Sequence, residues 1–313
     1  ALLETNSAGI RDQEYSSVPA PGTLRVLIMG ASNVLGQGVS REETVAVQLA
    51  KILEARWKRP VEVINGATSA YYTWQSAMRL NKLMELYHPH IALLDLQFPP
   101  CFLFDLAWES RLIFSPSGDP LYYDRSPMGE KTWFPFINRF FFRSLEGFMK
   151  MHTAHDAFRH RFVAFKIWLL PESQRVDFVI SGTRRALNYM RKKLEDRGGT
   201  FLAFFTNNRS VSIYSHFVPS NMDERLARQI DSLGPSPEVS IDKVAWAIET
   251  EKSTPVHGIG PYPIIQGDSH ISPSYIRAWA MDLANLLEKS DRVQAILAKL
   301  PPAKTKRSGQ SSP

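Results

Sequence analysis

The stretch "RVLIMGASNVLGQGV", Arg25 to Val39, constrains the fold more than any other part of the chain. Its near-continuous apolar start reads as a short strand buried on both faces. The run stops at Gly30, and a Gly-Ala-Ser-Asn turn then opens toward a helix. A strand buried on both faces needs helices above and below it, and the rest of the chain has to supply them.

The following segments do so in alternation. From Glu42 the period changes, with Val45, Leu49, Ile52 and Leu53 on one helical face and Lys51 and Glu54 opposite. "VEVIN" (Val61 to Asn65) is a second strand, and "SAMRLNKLMELY" is a helix stopped by His88-Pro89. "IALLDLQF" (Ile91 to Phe98) is a third strand, ended by Pro99-Pro100. Later, "RRALNYMRKKLEDRGG" is a helix with a glycine stop, followed by the strand "TFLAFFTN". "SPSYIRAWAMDLANLLEKS" is a capped amphipathic helix with Ile276, Trp279, Ala280, Leu283 and Leu287 along one side. Strand and helix in this order predict an α/β fold with a central parallel sheet and right-handed crossovers.

Three stretches fall outside that rhythm. Residues 1–22 are polar and read as an irregular lead-in to a main domain at 23–290. An aromatic and basic segment at about 101–175 reads as a helical insertion, either packing its rings on the sheet or forming a lid or membrane-facing surface beside a site. Residues 291–313, ending "PPAKTKRSGQSSP", read as a disordered tail.

Composition narrows the partners. The formal charge of +6 comes from scattered clusters mixed with apolar and acidic residues, and no nucleic-acid motif accompanies it. An anionic glycan or a membrane surface stays open through the net field. The single Cys101 excludes an internal disulfide and a cysteine-based metal cage. His152, His155 and His160 share a helical face poorly and have no obvious carboxylate to complete a set, so neither metal nor cofactor is expected. No apolar run is long enough to span a bilayer. The start at "ALLETNS", without Met, fits a processed product, and an extracytoplasmic place in the cell envelope is the expectation.

In an open α/β sheet, ligands bind beyond the carboxyl ends of the strands. Ser32 sits at such an end, where its hydroxyl would be exposed among backbone N–H groups. A serine there is also a common helix N-cap, and a nucleophile needs a base with an orienting group. Asp268 and His270 in "IIQGDSHISPSYIRAWA" have the spacing for that pair on a loop, although they would equally decorate the start of the last helix.

Taken together, four segments resemble the SGNH (GDSL-type) hydrolases. "TNSAGIRDQEYS" with "RVLIMGASNVLGQGVSREETVAVQLAKIL" is similar to their opening, "VEVINGATSAYYTWQSAMRL" to their second block, "HPHIALLDLQF" to the third strand and "GDSHISPSYIRAWAMDLANLL" to the closing block. The resemblance spans residues 5 to 288. It implies a flavodoxin-like three-layer α/β/α fold and serine ester chemistry, with Ser32 as nucleophile and Asp268 and His270 completing a triad.

The chain also departs from the family pattern. Ala31 stands where the family has Asp, Ala70 takes the place of the oxyanion-hole glycine, and the Asn donor of the third block falls near Pro99, which offers no donor. Gln97 or Asn207 could present an amide instead. Three functions therefore stay open: an esterase acting on a carbohydrate or small-molecule ester, an O-acyltransferase with the same triad, and a weakly catalytic or non-catalytic module binding an acylated glycan or an envelope partner.

Overall fold

The strand β1 (Leu24–Met29) is buried at every position. Leu24, Val26 and Ile28 enter one hydrophobic core, while Leu27 and Met29 enter another. That division follows from the two-residue period of a strand. The computed structural model describes residues 4–98, 105, 109, 112–123, 169, 171–207 and 270–302.

β1 pairs in parallel with β2 (Val61–Asn65) on one side and with β3 (Ile91–Phe98) on the other. β6 (Thr200–Asn207) adds to the far edge of β3, giving the order β2-β1-β3-β6, all parallel. The start 2-1-3 is that of flavodoxin-like sheets, in which the chain reverses direction across the sheet at β1. The expected α/β architecture, with "LRVLIM" central, is therefore present.

Helices cover both faces. α2 (Val45–Trp57) and α5 (Pro273–Lys289) bury Val45, Leu49, Leu53, Tyr275, Ile276 and Trp279 against Leu24, Val26 and Ile28. α3 (Thr73–Tyr87) and α4 (Glu172–Glu195) bury Trp74, Leu80, Leu83, Ala186, Met190 and Leu194 against Leu27 and Met29. The result is a three-layer α/β/α sandwich. At about 25 cal/mol per Å² of apolar surface, two such cores dominate the stability of the fold.

Two expectations change. The tail does not begin at 291, because Asp291–Lys299 form a helix, α6. Ser290, which ends α5, caps α6 by accepting the Val293 N–H at 3.5 Å. Val293 and Ile296 then fall on one face and join the α2–α5 core. The insertion expected to be helical is helical at Asp105, Glu109 and Leu169 but also contains, among its described residues, an antiparallel hairpin of β4 (Leu112–Phe114) and β5 (Pro120–Tyr123). Its connection, Ser115 to Asp119, is closed by Ser115 N–H to Asp119 O at 2.8 Å and Asp119 N–H to Ser115 Oγ at 2.9 Å. Gly118 takes φ +82 there. Such Ser/Pro/Gly/Asp turn chemistry favours a hairpin over a helix. Residues 124–168 lie outside the described residues, with His152, His155 and His160 among them, and so does Cys101.

The buried carboxyl group of Asp105 ties the insertion to the sandwich. It accepts the Trp74 N–H at the start of α3 at 3.3 Å and the Thr183 hydroxyl of α4 at 2.6 Å. Burial is the main cause that raises its pKa from 3.8 to about 7. A carboxyl shifted upward contributes stability that is complete below its ordinary pKa and is lost as pH rises through the folded value. Asp105→Asn, which cannot ionise, should match the parent near pH 4 and exceed it near pH 8 by on the order of 4 kcal/mol. Urea unfolding at the two pH values measures the difference, and a gap independent of pH would refute it.

Candidate active site

At the carboxyl end of β1 the chain turns sharply. Gly30 lies so close to its neighbours that a Cβ there would stand 2.6 Å from Val34 Cγ2 and 2.9 Å from Asp95 Cβ on β3. Only glycine fits. Ser32 follows as the first residue of the four-residue helix α1 (Ser32–Leu35) and is partly exposed. At that position its backbone N–H is one of the groups for which a helix start has no internal partner. Gly36 ends α1 at φ +80, and the N–H groups of Gly36 and Gln37 both return to Ser32 O at 3.0 Å. The nucleophile candidate thus sits inside a closed turn.

The β2–α3 loop is fastened to the same strand end. Gly66 N–H donates to Ile28 O at 2.8 Å, and Thr68 N–H donates to Gly30 O at 3.1 Å. Ser69 Oγ approaches Gln37 Oε1 at 3.5 Å, the outer limit of a hydrogen bond. Ala70 follows, exposed and at φ +59. The left-handed region costs a residue with a Cβ roughly 1–2 kcal/mol, so glycine is the unstrained choice. Ala70 bears that cost at the place where the resemblance puts an oxyanion donor.

His270 reaches this edge from the other end of the chain. It precedes Ile271, which is buried in the same core as Val34. Ser272 then caps α5 by accepting the Tyr275 N–H at 3.4 Å. α5 lies alongside α2 in the same direction: Arg56 near the end of α2 meets Asn285 at 2.9 Å and Glu288 at 2.6 Å near the end of α5. The start of α5 touches the short 3-10 turn Arg41–Glu43 that precedes α2. Helices between parallel strands run back along the sheet, so both starts lie at its carboxyl edge.

Ser32, Ala70 and His270 are therefore gathered at one edge of the sheet. Gln97 stands near the end of β3, paired with Thr206, and Asn207 ends β6, paired with Phe98. Asp268 and Pro99 lie outside the described residues.

The sequence reading missed the polar residues beneath these loops. Arg11 and Asp12, within the irregular lead-in, are only 6% and 7% exposed. Asp95 is buried beside Gly30. Arg79 on α3 donates Nε–H to Gly66 O at 2.6 Å. The available signal was a charged pair placed directly after an apolar residue in "IRDQE". Among the described residues no group of three or more His, Cys, Asp or Glu could hold a metal, and no helix is long and apolar enough to cross a membrane.

No family model and no curated protein matches the chain. Solved structures similar to it include TesA, at 12% identity over 84% of this chain and 98% of that one, with a TM-score of 0.45. The lipase Lip_vut3 from a goat rumen metagenome follows at 14% identity, 84% and 97% coverage and a TM-score of 0.45. A GDSL-like lipase from Bacteroides thetaiotaomicron is similar at 9% identity over 88% and 89%, with a TM-score of 0.38.

The strain at Ala70 yields a stability test. Ala70→Gly removes the left-handed cost but frees the unfolded chain, an opposing effect of about 0.4–1 kcal/mol. The variant should be more stable by up to about 1 kcal/mol, read as a higher urea midpoint at unchanged slope. A lower midpoint would show that Ala70 is unstrained.

Proposed function

We propose that the protein is a serine esterase acting on an O-acyl ester, such as an acetyl ester, of a carbohydrate or small molecule. The observation that carries this reading is the placement of Ser32. It opens a helix at the carboxyl end of the central strand, inside a turn closed on its own carbonyl, with the Ala70 loop pinned alongside.

In this reading His270 takes the Ser32 proton as Oγ attacks the ester carbonyl, and Asp268 orients the imidazole and stabilises its charged form. The charge that develops on the carbonyl oxygen is received by the N–H groups of Ser32 and Ala70. An amide from Gln97, or failing that Asn207, serves as the third donor where Pro99 can give none. His270 returns the proton to the leaving alkoxide. Water then releases the acyl group, or a second alcohol accepts it if the site excludes water.

Fluorophosphonate labelling with mass-spectrometric mapping tests the nucleophile without knowledge of the natural ester. Label is expected on Ser32, with turnover of a small activated ester, and Ser32→Ala should abolish both. Gln97→Ala should lower kcat by about 10²–10³ if its amide is the third donor. An unchanged kcat would move that role to Asn207. A wild type that takes no label and turns over no ester, yet binds an acylated glycan, would make the protein a binding module.

A further inference from the structure

The residues before β1 form a small closed loop. Asn6 Oδ1 accepts the N–H groups of Ala8 at 3.0 Å and Ile10 at 3.2 Å, and its Nδ2 donates to Gln13 O at 2.9 Å. Glu14 closes the same loop on Ser7, through the backbone N–H at 2.6 Å and the hydroxyl at 2.8 Å. Ile10, 1% exposed, anchors the loop in the α3–α4 core. That anchoring delivers Arg11 and Asp12 to two different loops of the candidate active site.

Arg11 serves the nucleophile turn. Its Nη1 donates to Leu35 O at 3.0 Å and also to Gly36 O, and its Nη2 donates to Val39 O at 2.5 Å. Those carbonyls lie at the C-terminal end of α1 and just beyond it, where a cation is electrostatically favoured. Contact is close enough that a Cβ on Gly36 would meet Arg11 Nη1 at 3.0 Å and Thr44 Cγ2 at 2.5 Å.

Asp12 serves the β2 end. Its Oδ2 accepts the Asn65 N–H at 2.8 Å, and its Oδ1 accepts Gln13 N–H at 2.8 Å and the Tyr15 hydroxyl at 3.1 Å. The Asn65 side chain completes a ring, with Nδ2 donating to Val34 O at 3.1 Å and Leu35 O at 3.4 Å. Leu35 O thus receives both Arg11 and Asn65, while Asn65 is held by the residue next to Arg11. Asn65 Oδ1 in turn accepts Ala67 N–H at 3.2 Å, inside the loop that leads to Ala70.

We propose that Arg11 and Asp12 are positioning residues for the Ser32 site, fixing the nucleophile turn against the Ala70 loop through this closed circuit with Asn65. The proposal rests on the esterase reading for its catalytic consequence. Two N–H groups from different loops must converge on one developing oxyanion, and misplacement by about 1 Å can cost about 10²-fold in rate. The proposed oxyanion site draws two of its donors from these two loops, so it depends on how the loops are held against each other. Lysine cannot replace Arg11, because an ammonium is a point donor and lacks the planar fork that spans Leu35, Gly36 and Val39.

Arg11→Lys and Asp12→Ala are compared with wild type by fluorophosphonate labelling, ester kinetics and amide hydrogen exchange. Labelling rate and kcat, each per labelled site, should fall by about tenfold or more in both variants, with KM unchanged. Exchange at Gly36 and Gln37 should accelerate. Rates per labelled site equal to wild type would overturn the proposal, as would a loss explained wholly by fewer labelled sites, since that is what a merely structural role produces. If wild type takes no label, the esterase reading and the catalytic consequence fall together. Exchange then decides the circuit alone: faster exchange at Gly36 and Gln37 in both variants sustains the positioning role, and unchanged exchange overturns it.

Discussion

The carboxyl end of β1 is the fixed point on which the site depends. Both edges of this strand are paired, to β2 through Ile28↔Asn65 and to β3 through Met29↔Leu94. Moving its end therefore means breaking a ladder on at least one side. The carbonyls of Ile28 and Gly30 then hold the Gly66 and Thr68 N–H groups, which carry the next loop along the strand. A buried backbone group left without a partner costs about 1–3 kcal/mol, so the loop has few other places to go. Ser32 and Ala70 inherit their proximity from main-chain bonds that depend on no side chain of their own.

This origin explains which parts were legible in the sequence. β1, β2, β3 and β6 carry local apolar patterns, and their limits can be read because Gly30, Asn65, Pro99 and the Gly198-Gly199 pair punctuate them. α6 does not stand out in the sequence, because nine residues with Val293 and Ile296 as their buried apolar pair offer too short a period. The Arg11–Asp12 circuit has no period at all. Its partners lie 24 to 53 residues further along the chain. Ser32 and His270 stand out in the sequence as candidates because their residue types carry chemistry, whereas Asn65 carries none and holds two loops instead.

The electrostatics of the sandwich follow a related logic. Arg25, fully buried at the amino end of the sheet, pairs with Glu62 at 2.6 Å but also donates to Tyr87 O at 2.6 Å and Ser17 O at 2.9 Å. Tyr87 ends α3, so this cation caps a helix C-terminus, as Arg11 does for α1. Arg79 caps no helix, but it too donates to a main-chain carbonyl, that of Gly66 in the β2–α3 loop. Burial pulls Arg11 and Arg79 below their ordinary pKa, yet a guanidinium remains charged throughout the physiological range.

A buried cation is tolerated only where its donors find fixed acceptors. Main-chain carbonyls are suitable partners because the backbone around them cannot titrate, and a planar fork reaches two or three of them at once. The arrangement is selective for geometry: if the α1 turn relaxed, Gly36 O and Val39 O would leave Arg11 while its charge stayed buried. Disorder in the turn is thereby penalised through a residue that plays no chemical part. A hydrophobic side chain at the same place could fill the space, but it would leave these carbonyls without their Arg11 donor and the turn free to open. Within the polar lead-in, Arg11 and Asp12 thus belong to the packing of the loops at the carboxyl edge of the sheet, while Ser17 meets Arg25 at the opposite edge.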